Sequence, residues 1–174
     1  KGNLNMSNLD TASYNRQGKV FHAANVAAAS VLAVSTTMTG LILSNPYGSG
    51  KKFILVDAMF VWTTAGAAAH QIGHAMGYSQ TAVTHTTPAI VYNADGSGVS
   101  SSAVGLVDVS STLPVVATAR RWFGGSLGAA VSPYQIVDYP EGAIVLVPGA
   151  YWHLTTVTTT AVGMGSVTWI EVPA

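Results

Sequence analysis

Three residues occur in the chain order of a serine hydrolase triad. The segment 124–128, GGSLG, matches the pattern G-x-S-x-G around Ser126, and Asp138 and His153 follow it. In α/β-hydrolases this pattern holds the serine on a strained turn between a strand and a helix. Here Pro133 comes soon after Ser126, and the next apolar run is typical of a strand. We therefore interpret the segment as a glycine-rich loop and assign no catalytic residue.

Two histidines have a spacing that could hold a metal ion. His70 and His74 are four residues apart, which on a helix would present both imidazoles to one ion. A zinc protease needs a glutamate where Gln71 stands, because an amide cannot accept the proton of a metal-bound water. A structural metal site with His85 or His153 as third ligand is one interpretation. We favour polar loop histidines and assign no metal ligand.

Two further motifs are weaker matches. The segment 48–52, GSGKK, resembles a phosphate-binding loop, but Asn45 stands where the first glycine belongs and Lys52 replaces the Ser or Thr that holds magnesium. A tight turn is the better interpretation. Asp138 and Glu141 flank a second turn, where such residues serve backbone geometry rather than glycoside chemistry. We assign no cofactor-binding residue.

The aromatic residues favour packing or an interface. Arg120 and Arg121 lie beside Trp122 and suit an inter-subunit ion pair or a cation–π contact. Tryptophans can stack on sugars, but they are more often core or interface anchors. All four fall in predicted strands: Trp62, Trp122, Trp152 and Trp169.

The elements that would position these residues are short strands. Apolar runs alternate with breaks rich in Gly, Pro, Asn and Ser, which predicts an all-β fold, an antiparallel β-sandwich. Two alanine-rich segments, Ala23–Val34 and Ala65–Met76, are also compatible with a short helix. The predicted strands are Lys19–His22, Ser30–Ser35, Gly40–Leu43, Phe53–Trp62, Val83–Val91, Pro114–Phe123, Tyr134–Asp138, Ala143–Val147, Tyr151–Thr159 and Val167–Val172.

The strand Phe53–Trp62 is apolar at both alternating sets of positions, with Asp57 as the one carboxylate. Because successive side chains of a strand point to opposite faces, both faces of this strand should be covered. We expect the opposing sheet on one face and a neighbouring subunit on the other.

The chain length of 174 residues fits one domain. We assign residues 18–174 to a single domain and residues 1–17 to an extended N-terminal arm. The arm is polar and has few large apolar groups, so it should need contacts outside its own domain to become ordered. Its expected anchors are Leu4, Met6, Leu9 and Tyr14.

Composition restricts the function classes. Apolar residues make up 49% and charged residues 8% of the chain, against about 25% charged in an average domain. Seven basic residues balance seven acidic ones, which argues against a nucleic-acid binder. A chain without net charge tends to associate. There is no cysteine for a disulfide or a thiolate site, and no apolar run is long enough to span a membrane.

Segments of the chain resemble a family of small tailed-bacteriophage virion proteins, encoded among head and structural genes. The resemblance rests on 16–21, RQGKVF; 40–51, GLILSNPYGSGK; Asp138 with 142–149, GAIVLVPG; and 169–173, WIEVP. It covers about residues 16–174. It implies a jelly-roll β-sandwich, trimeric, that decorates or cements the capsid exterior or forms a small appendage on it.

We therefore expect a non-enzymatic structural virion protein, a capsid decoration protein located on the exterior of the head. Its expected partners are further copies of itself, the major capsid protein or neighbouring virion proteins, with no cofactor, nucleic acid or membrane. The alternative is a receptor- or glycan-binding jelly-roll module of a phage fibre, a tail or a cell surface. Exposed aromatic residues gathered in loops at one end of the sandwich would favour that alternative.

Overall fold

The computed structural model describes residues 11–64, 68–126, 135–157 and 160–174. Within them, the chain is an all-β protein of two antiparallel sheets stacked as a sandwich. The elements are α1 Thr11–Arg16, β1 Val20–Ala24, β2 Ala29–Val31, β3 Thr37–Ser44, β4 Lys51–Trp62, β5 His70–Tyr78, β6 Thr84–Pro88, β7 Tyr92–Asn93, β8 Leu106–Thr112, β9 Thr118–Ser126, β10 Gln135–Asp138, β11 Val145–Leu146, β12 Ala150–Thr156 and β13 Ala161–Pro173.

Two sheets contain all of these strands. Sheet A has the order β10–β4–β13–β1–β7, with β11 also paired to β4 and β2 to β13. Sheet B has the order β6–β8–β3–β12–β5–β9. β4 and β13 form the longest pairing, from Gly163 opposite Trp62 to Pro173 opposite Lys51, with an irregularity after Thr168.

The main core lies between the sheets. Trp152 of sheet B and Trp169 of sheet A are fully buried there, and Phe21 and Phe53 lie on either side of Trp169 at ring-centroid distances of 5.9 and 6.4 Å. Burying an aromatic side chain of this size stabilises the fold by about 2–3 kcal/mol. The alternation of buried and less buried residues along β4 therefore fixes which face of that strand points inward.

A second apolar cluster covers the outer face of sheet B. Ile42 and Tyr151 project from β3 and β12 away from the main core, and Leu113 and Ala117 from the β8–β9 connection pack with them. The phenol of Tyr151 donates a 2.5 Å hydrogen bond to the carbonyl of Val115. β12 is consequently buried along its whole length.

A buried carboxylate attaches a loop to the end of the sandwich. Glu171 on β13 is 3% exposed, and its Oε1 accepts hydrogen bonds from the backbone N–H groups of Val104 and Gly105 at 3.0 and 2.9 Å. The indole N–H of Trp169 donates to the same carboxylate oxygen at 3.2 Å. These bonds satisfy a charge that would otherwise be costly to bury.

The β-sandwich prediction is confirmed, and most predicted strands overlap observed ones. The helical alternatives are wrong for the described residues of both alanine-rich segments. Ala23–Val34 holds the end of β1 and all of β2, and the described part of Ala65–Met76 contributes to β5. β8 was not predicted at all.

Glycines explain why β5 is a strand despite its composition. A Cβ atom at Gly73 would lie 2.6 Å from the backbone carbonyl oxygen of Arg121 and 2.5 Å from the ring of Trp122. β9 therefore approaches β5 so closely that only glycine fits between them. This tertiary contact outweighs the local preference of the surrounding alanines for helix.

The two faces of β4 differ in burial. Phe53, Leu55 and Phe60 are fully buried in the core, which confirms the expectation for the inner face. Met59 and Val61 on the outer face are half-buried in the single chain. The neighbouring subunit expected over that face stays a prediction.

The N-terminal arm is not extended over its described part. Thr11–Arg16 forms a short α-helix, so the predicted extended conformation is wrong there. The helix is followed by Gly18 in the left-handed region, at φ 64°, which is the usual way for a helix to end. The amide of Asn15 donates a 3.4 Å hydrogen bond to the carbonyl of Ala94. Residues 1–10, with the anchors Leu4, Met6 and Leu9, lie outside the described residues.

Candidate functional sites

The residues in hydrolase order do not form a triad. Asp138 on β10 receives hydrogen bonds from His74 and Arg121, at 2.9 Å each. His153 on β12 instead donates from Nδ1 to the carbonyl of Leu154, 2.7 Å away. Ser126 is the last residue of β9, and its side chain lies outside the described part of the structure. Asp138 therefore orients a different histidine from the one a triad would need.

Asp138 is the centre of a polar network between the two sheets. Its Oδ2 accepts from His74 Nε2, and its Oδ1 accepts from Arg121 Nη2. On the other side of the imidazole, Trp152 Nε1–H donates to His74 Nδ1 at 2.9 Å. The network thus ties β10, at the edge of sheet A, to β5, β9 and β12 of sheet B.

The contacts of His74 define its protonation state. An indole N–H can only donate, so Nδ1 of His74 carries no proton and the ring is neutral with its proton on Nε2. Burial lowers the pKa of His74, and the neighbouring Asp138 only partly offsets that effect. Phe123 stacks on the imidazole with 4.5 Å between the ring centroids. Each ring nitrogen is already hydrogen-bonded, so this histidine acts as a structural link between the sheets.

The structure does not support the helical metal site. His70 and His74 lie on β5, where residues four apart are separated by about 13 Å. The side chain of His70 lies outside the described residues. In the described ranges, no group of three His, Asp or Glu residues is arranged to hold a metal ion. The paired-histidine interpretation is therefore wrong in its geometry. The favoured interpretation as polar loop histidines is also wrong, because both residues lie on β5 and His74 is fully buried.

The first part of the segment 48–52, residues 48–50, is a turn, as predicted, and Lys51 and Lys52 begin β4. The backbone N–H of Ser49 bonds to the carbonyl of Pro46 at 3.1 Å, and Gly48 and Gly50 have φ values of 80° and 67°. The amide of Asn45 secures the turn by donating to the carbonyls of Lys51 and Leu146. A strand follows, with no helix N-terminus for a phosphate.

A second histidine–aspartate pair lies on the outer face of sheet B, and sequence reasoning missed it. His85 Nδ1 hydrogen-bonds to Oδ2 of Asp108, whose side chain is 1% exposed. Oδ1 of Asp108 is buried without a hydrogen-bond partner among the described residues. The pair borders a cavity of about 300 Å³ whose wall also includes Pro88, Ala89 and Leu106. Residues 85 and 108 come together only through the pairing of β6 with β8, which no local pattern indicated.

His153 is a buried histidine with an unusual environment. It is 0% exposed, and its Nε2 has no hydrogen-bond partner among the described residues. Burial lowers its pKa to about 4, because a charged imidazole would lose its hydration without gaining a counter-ion. His153 is therefore neutral near pH 7.

Three tryptophans are core residues and one is on the surface. Trp62, Trp152 and Trp169 are at most 5% exposed. Trp122 is 45% exposed and packs over Gly73 at the edge of sheet B. Arg121 is adjacent in sequence but pairs with Asp138. The predicted core role is confirmed for the first three.

Exposed apolar side chains gather at one edge of the sandwich. They surround a groove of about 320 Å³ at the edge formed by β9 of sheet B and β11 of sheet A. We call these residues the edge patch: Tyr78, Val115, Val116, Val145 and Val147. Each is between 37% and 53% exposed. Arg120 forms part of the groove wall. An apolar, concave surface of this kind is typical of a binding site.

Comparison of the chain with protein-family models, curated proteins and solved structures finds no match. No helix in the described ranges is long and apolar enough to cross a membrane. A proposal about function therefore rests on the geometry of the sites and on the sequence resemblance.

Proposed function

We propose that this chain is a non-enzymatic structural protein of a tailed-phage virion, a trimeric decoration protein on the exterior of the head. The observation that carries the proposal is the edge patch, where large aliphatic and aromatic side chains are about half exposed. Only 8% of the residues are charged, so few charged groups are available to keep a protein with such a surface soluble. Contact with other protein copies would bury it.

The strand order supports a jelly-roll assignment. A jelly roll has eight strands in two Greek keys, in which strands one, eight, three and six form one sheet and strands two, seven, four and five form the other. The orders β1–β13–β4–β10 and β3–β12–β5–β9 follow that scheme. Of the five remaining strands, β6, β7 and β8 fall between the fourth and fifth positions and extend the sheets at the opposite edge, while β2 and β11 pair with β13 and β4.

The use of the polar side chains favours a structural role over catalysis. Asp138 and His74 link the two sheets, and Glu171 attaches a loop. His153, the histidine of the triad-like order, bonds to a backbone carbonyl. A hydrolase would need a base aligned with an exposed nucleophile, and these groups are committed to the fold.

Stabilisation of the head would follow from mass action. A protein that binds the assembled lattice but not its dissociated subunits stabilises the lattice by an amount that grows with its concentration above Kd. Trimeric copies would bind a lattice point through several contacts at once, which raises their effective affinity.

A receptor- or glycan-binding module is the second candidate. Tyr47 and Tyr78 are 56% and 53% exposed, and their rings lie close to Gly149 at one end of the sandwich. Exposed tyrosines can stack on sugar rings. Saturable binding of host-cell glycans that is lost in a Tyr47→Ala, Tyr78→Ala variant would favour this candidate.

The decoration role can be tested with phage heads that lack the protein. The gene is deleted, the DNA-filled heads are purified, and the temperature of DNA release is measured before and after addition of the purified chain. We expect release at a lower temperature without the chain and recovery on its addition, in proportion to the amount bound. Heads that neither bind the chain nor change their release temperature would contradict the proposal.

A further inference from the structure

The imidazole of His74 lies between a hydrogen-bond donor and a hydrogen-bond acceptor. The indole N–H of Trp152 donates to its Nδ1, and its Nε2–H donates to Oδ2 of Asp138, each over 2.9 Å. An indole nitrogen can only donate, so a second proton on the ring, at Nδ1, would point directly at another N–H group. The neutral ring fits this site, whereas the charged ring cannot keep its bond with Trp152.

Neither ring can turn away inside the core. His74 and Trp152 are both 0% exposed, and Trp152 belongs to the main core cluster. Rotation of the indole would leave its N–H without an acceptor and disturb close packing. The opposite side of the imidazole is more open, because Asp138 there is bonded to Arg121, whose side chain is 45% exposed. A charged His74 would therefore move towards Asp138 and the edge that β9 and β10 form.

β10 is the short edge strand on that side of the network. It pairs with β4 at four positions, from Gln135 to Asp138. It contacts sheet B through the two hydrogen bonds of Asp138. It also does so through Ile136, whose side chain lies so close to β9 that a Cβ atom at Gly124 would be 2.6 Å from it. Because a short segment at the edge of a sheet opens at a lower free energy than the whole fold, loss of the Asp138 contacts should free β10 before other strands.

We propose that His74 makes this edge acid-sensitive: a second proton on its ring ends the hydrogen bond from Trp152, and β10 detaches from the sandwich while β4 and β13 stay paired. The inference concerns the fold of the single chain and does not depend on a role at the capsid. Burial lowers the pKa of His74, Asp138 partly opposes that effect and Arg121 adds to it. The closed edge is therefore fully stable above pH 6.5, the ordinary value for histidine, and is lost as the pH falls below it.

Among the described residues, the charged groups that face His74 come from two strands. Asp138 on β10 attracts an imidazolium, and Arg121 on β9 repels it. From β12, the polar group at the ring is the indole of Trp152, since His153, the next residue, points to the opposite face of sheet B. A protonated site would contain two cations and one buried carboxylate, which cannot neutralise both. Repulsion between the imidazolium and the guanidinium therefore favours opening over a closed, charged network.

Amide hydrogen exchange of the full chain measures the opening. Protection factors, which correct for the effect of pH on exchange itself, are compared between β10 and β13 at pH 7 and pH 4.5. We expect those of β10 to fall about tenfold or more and those of β13 to fall much less. An equal fall in both strands would overturn the inference, because the whole fold would then be opening.

A variant that cannot take a proton tests His74 itself. In His74→Gln, the side-chain amide has an oxygen that can accept from Trp152 and an N–H group that can donate to Asp138. We expect the fall in β10 protection between pH 7 and pH 4.5 to shrink to less than about threefold in this variant. A fall as large as in the original chain would overturn the inference.

His153→Leu is the matched control. It removes a second fully buried histidine with a lowered pKa, one that faces the other side of sheet B. The fall in protection of β10 relative to β13 should persist in this variant. Its disappearance would overturn the inference, because a histidine other than His74 would then control the edge.

Trp152→Phe tests the opposed donor, and it stays informative if His74→Gln does not fold. Phenylalanine keeps an apolar ring in the core but has no N–H group. We expect the pKa of His74, followed by NMR titration, to rise in this variant. The fall in β10 protection should shrink, because the charged ring can then stay beside Asp138. An indole with a merely structural role would leave that pKa unchanged on its removal, and such a result would overturn the inference.

Discussion

His153 is the residue at which acid should act most strongly. Its imidazole is fully buried, and its pKa of about 4 lies below the ordinary value of 6.5. Between pH 6.5 and pH 4 the unfolded chain therefore binds a proton at His153 that the folded chain does not bind. The contribution of His153 to the free energy of unfolding is fully present above pH 6.5. It is lost as the pH falls towards 4 and amounts to about 3 kcal/mol in total.

Replacing His153 by an apolar residue of similar size should remove this dependence. Between pH 7 and pH 4.5, we expect the free energy of unfolding of His153→Leu to fall by about 2 kcal/mol less than that of the original chain. Urea unfolding at both pH values measures the difference. His74, whose pKa is also lowered by burial, is present in both chains and contributes equally. An identical acid loss in the two proteins would contradict the assignment of His153 as a buried neutral group.

The link between the sheets depends on Asp138 more than on Arg121. Removing the carboxylate in Asp138→Ala leaves the Nε2–H of the fully buried His74 without its acceptor, which should cost about 2–3 kcal/mol. The side chain of Arg121 is 45% exposed, so Arg121→Met should cost less than about 1 kcal/mol. Urea unfolding of both variants at pH 7 checks the order, and equal losses would contradict it.

At the scale of the elements, local patterns were sufficient where apolar alternation was strong. β4, β12 and β13 were predicted because Val, Ile, Thr and aromatic residues favour a pleated surface. β5 was ambiguous because residues 65–69, which precede it, are rich in Ala and Gly. Its strand conformation comes from the close approach of β9 at Gly73. β8 was missed because Asp108 and Ser111 are polar yet buried, and only the partner strands β3 and β6 create that burial.

The candidate sites also divide into those that local sequence indicates and those that only the tertiary structure creates. Turn chemistry at 48–52 could be recognised locally, since glycines with positive φ are required there. The pairs His74–Asp138 and His85–Asp108 could not, because their partners are 64 and 23 residues apart in the chain. Strand register alone brings them into contact.

The close approach of β9 to β5 predicts how a larger residue at Gly73 would change the stability of the fold. Gly73→Ala should destabilise the fold by about 2 kcal/mol or more, because the added methyl meets the backbone carbonyl oxygen of Arg121. A Trp122→Ala change in the same chain removes the ring contact but not the carbonyl, so it should not restore stability. Recovery in that double variant, measured by thermal unfolding, would show that the ring alone sets the strand separation.

At the scale of the whole molecule, the sandwich has two surfaces that self-association could cover. One is the edge patch, and the other is the outer face of β4, where Met59 and Val61 are half-buried. Both are mostly apolar, and the chain carries a formal charge of +0. A molecule of this kind is suited to a symmetric, closely packed environment on a larger particle.

The central claim is a position on a phage head, and the most direct measurement is a cryo-electron microscopy reconstruction of the virus that encodes this chain. The account predicts density for the two-sheet sandwich on the outer surface of the capsid shell, in groups of three with the edge patches buried between copies. Density for the sandwich at the tail tip or on a fibre, or a complete head without it, would contradict the claim.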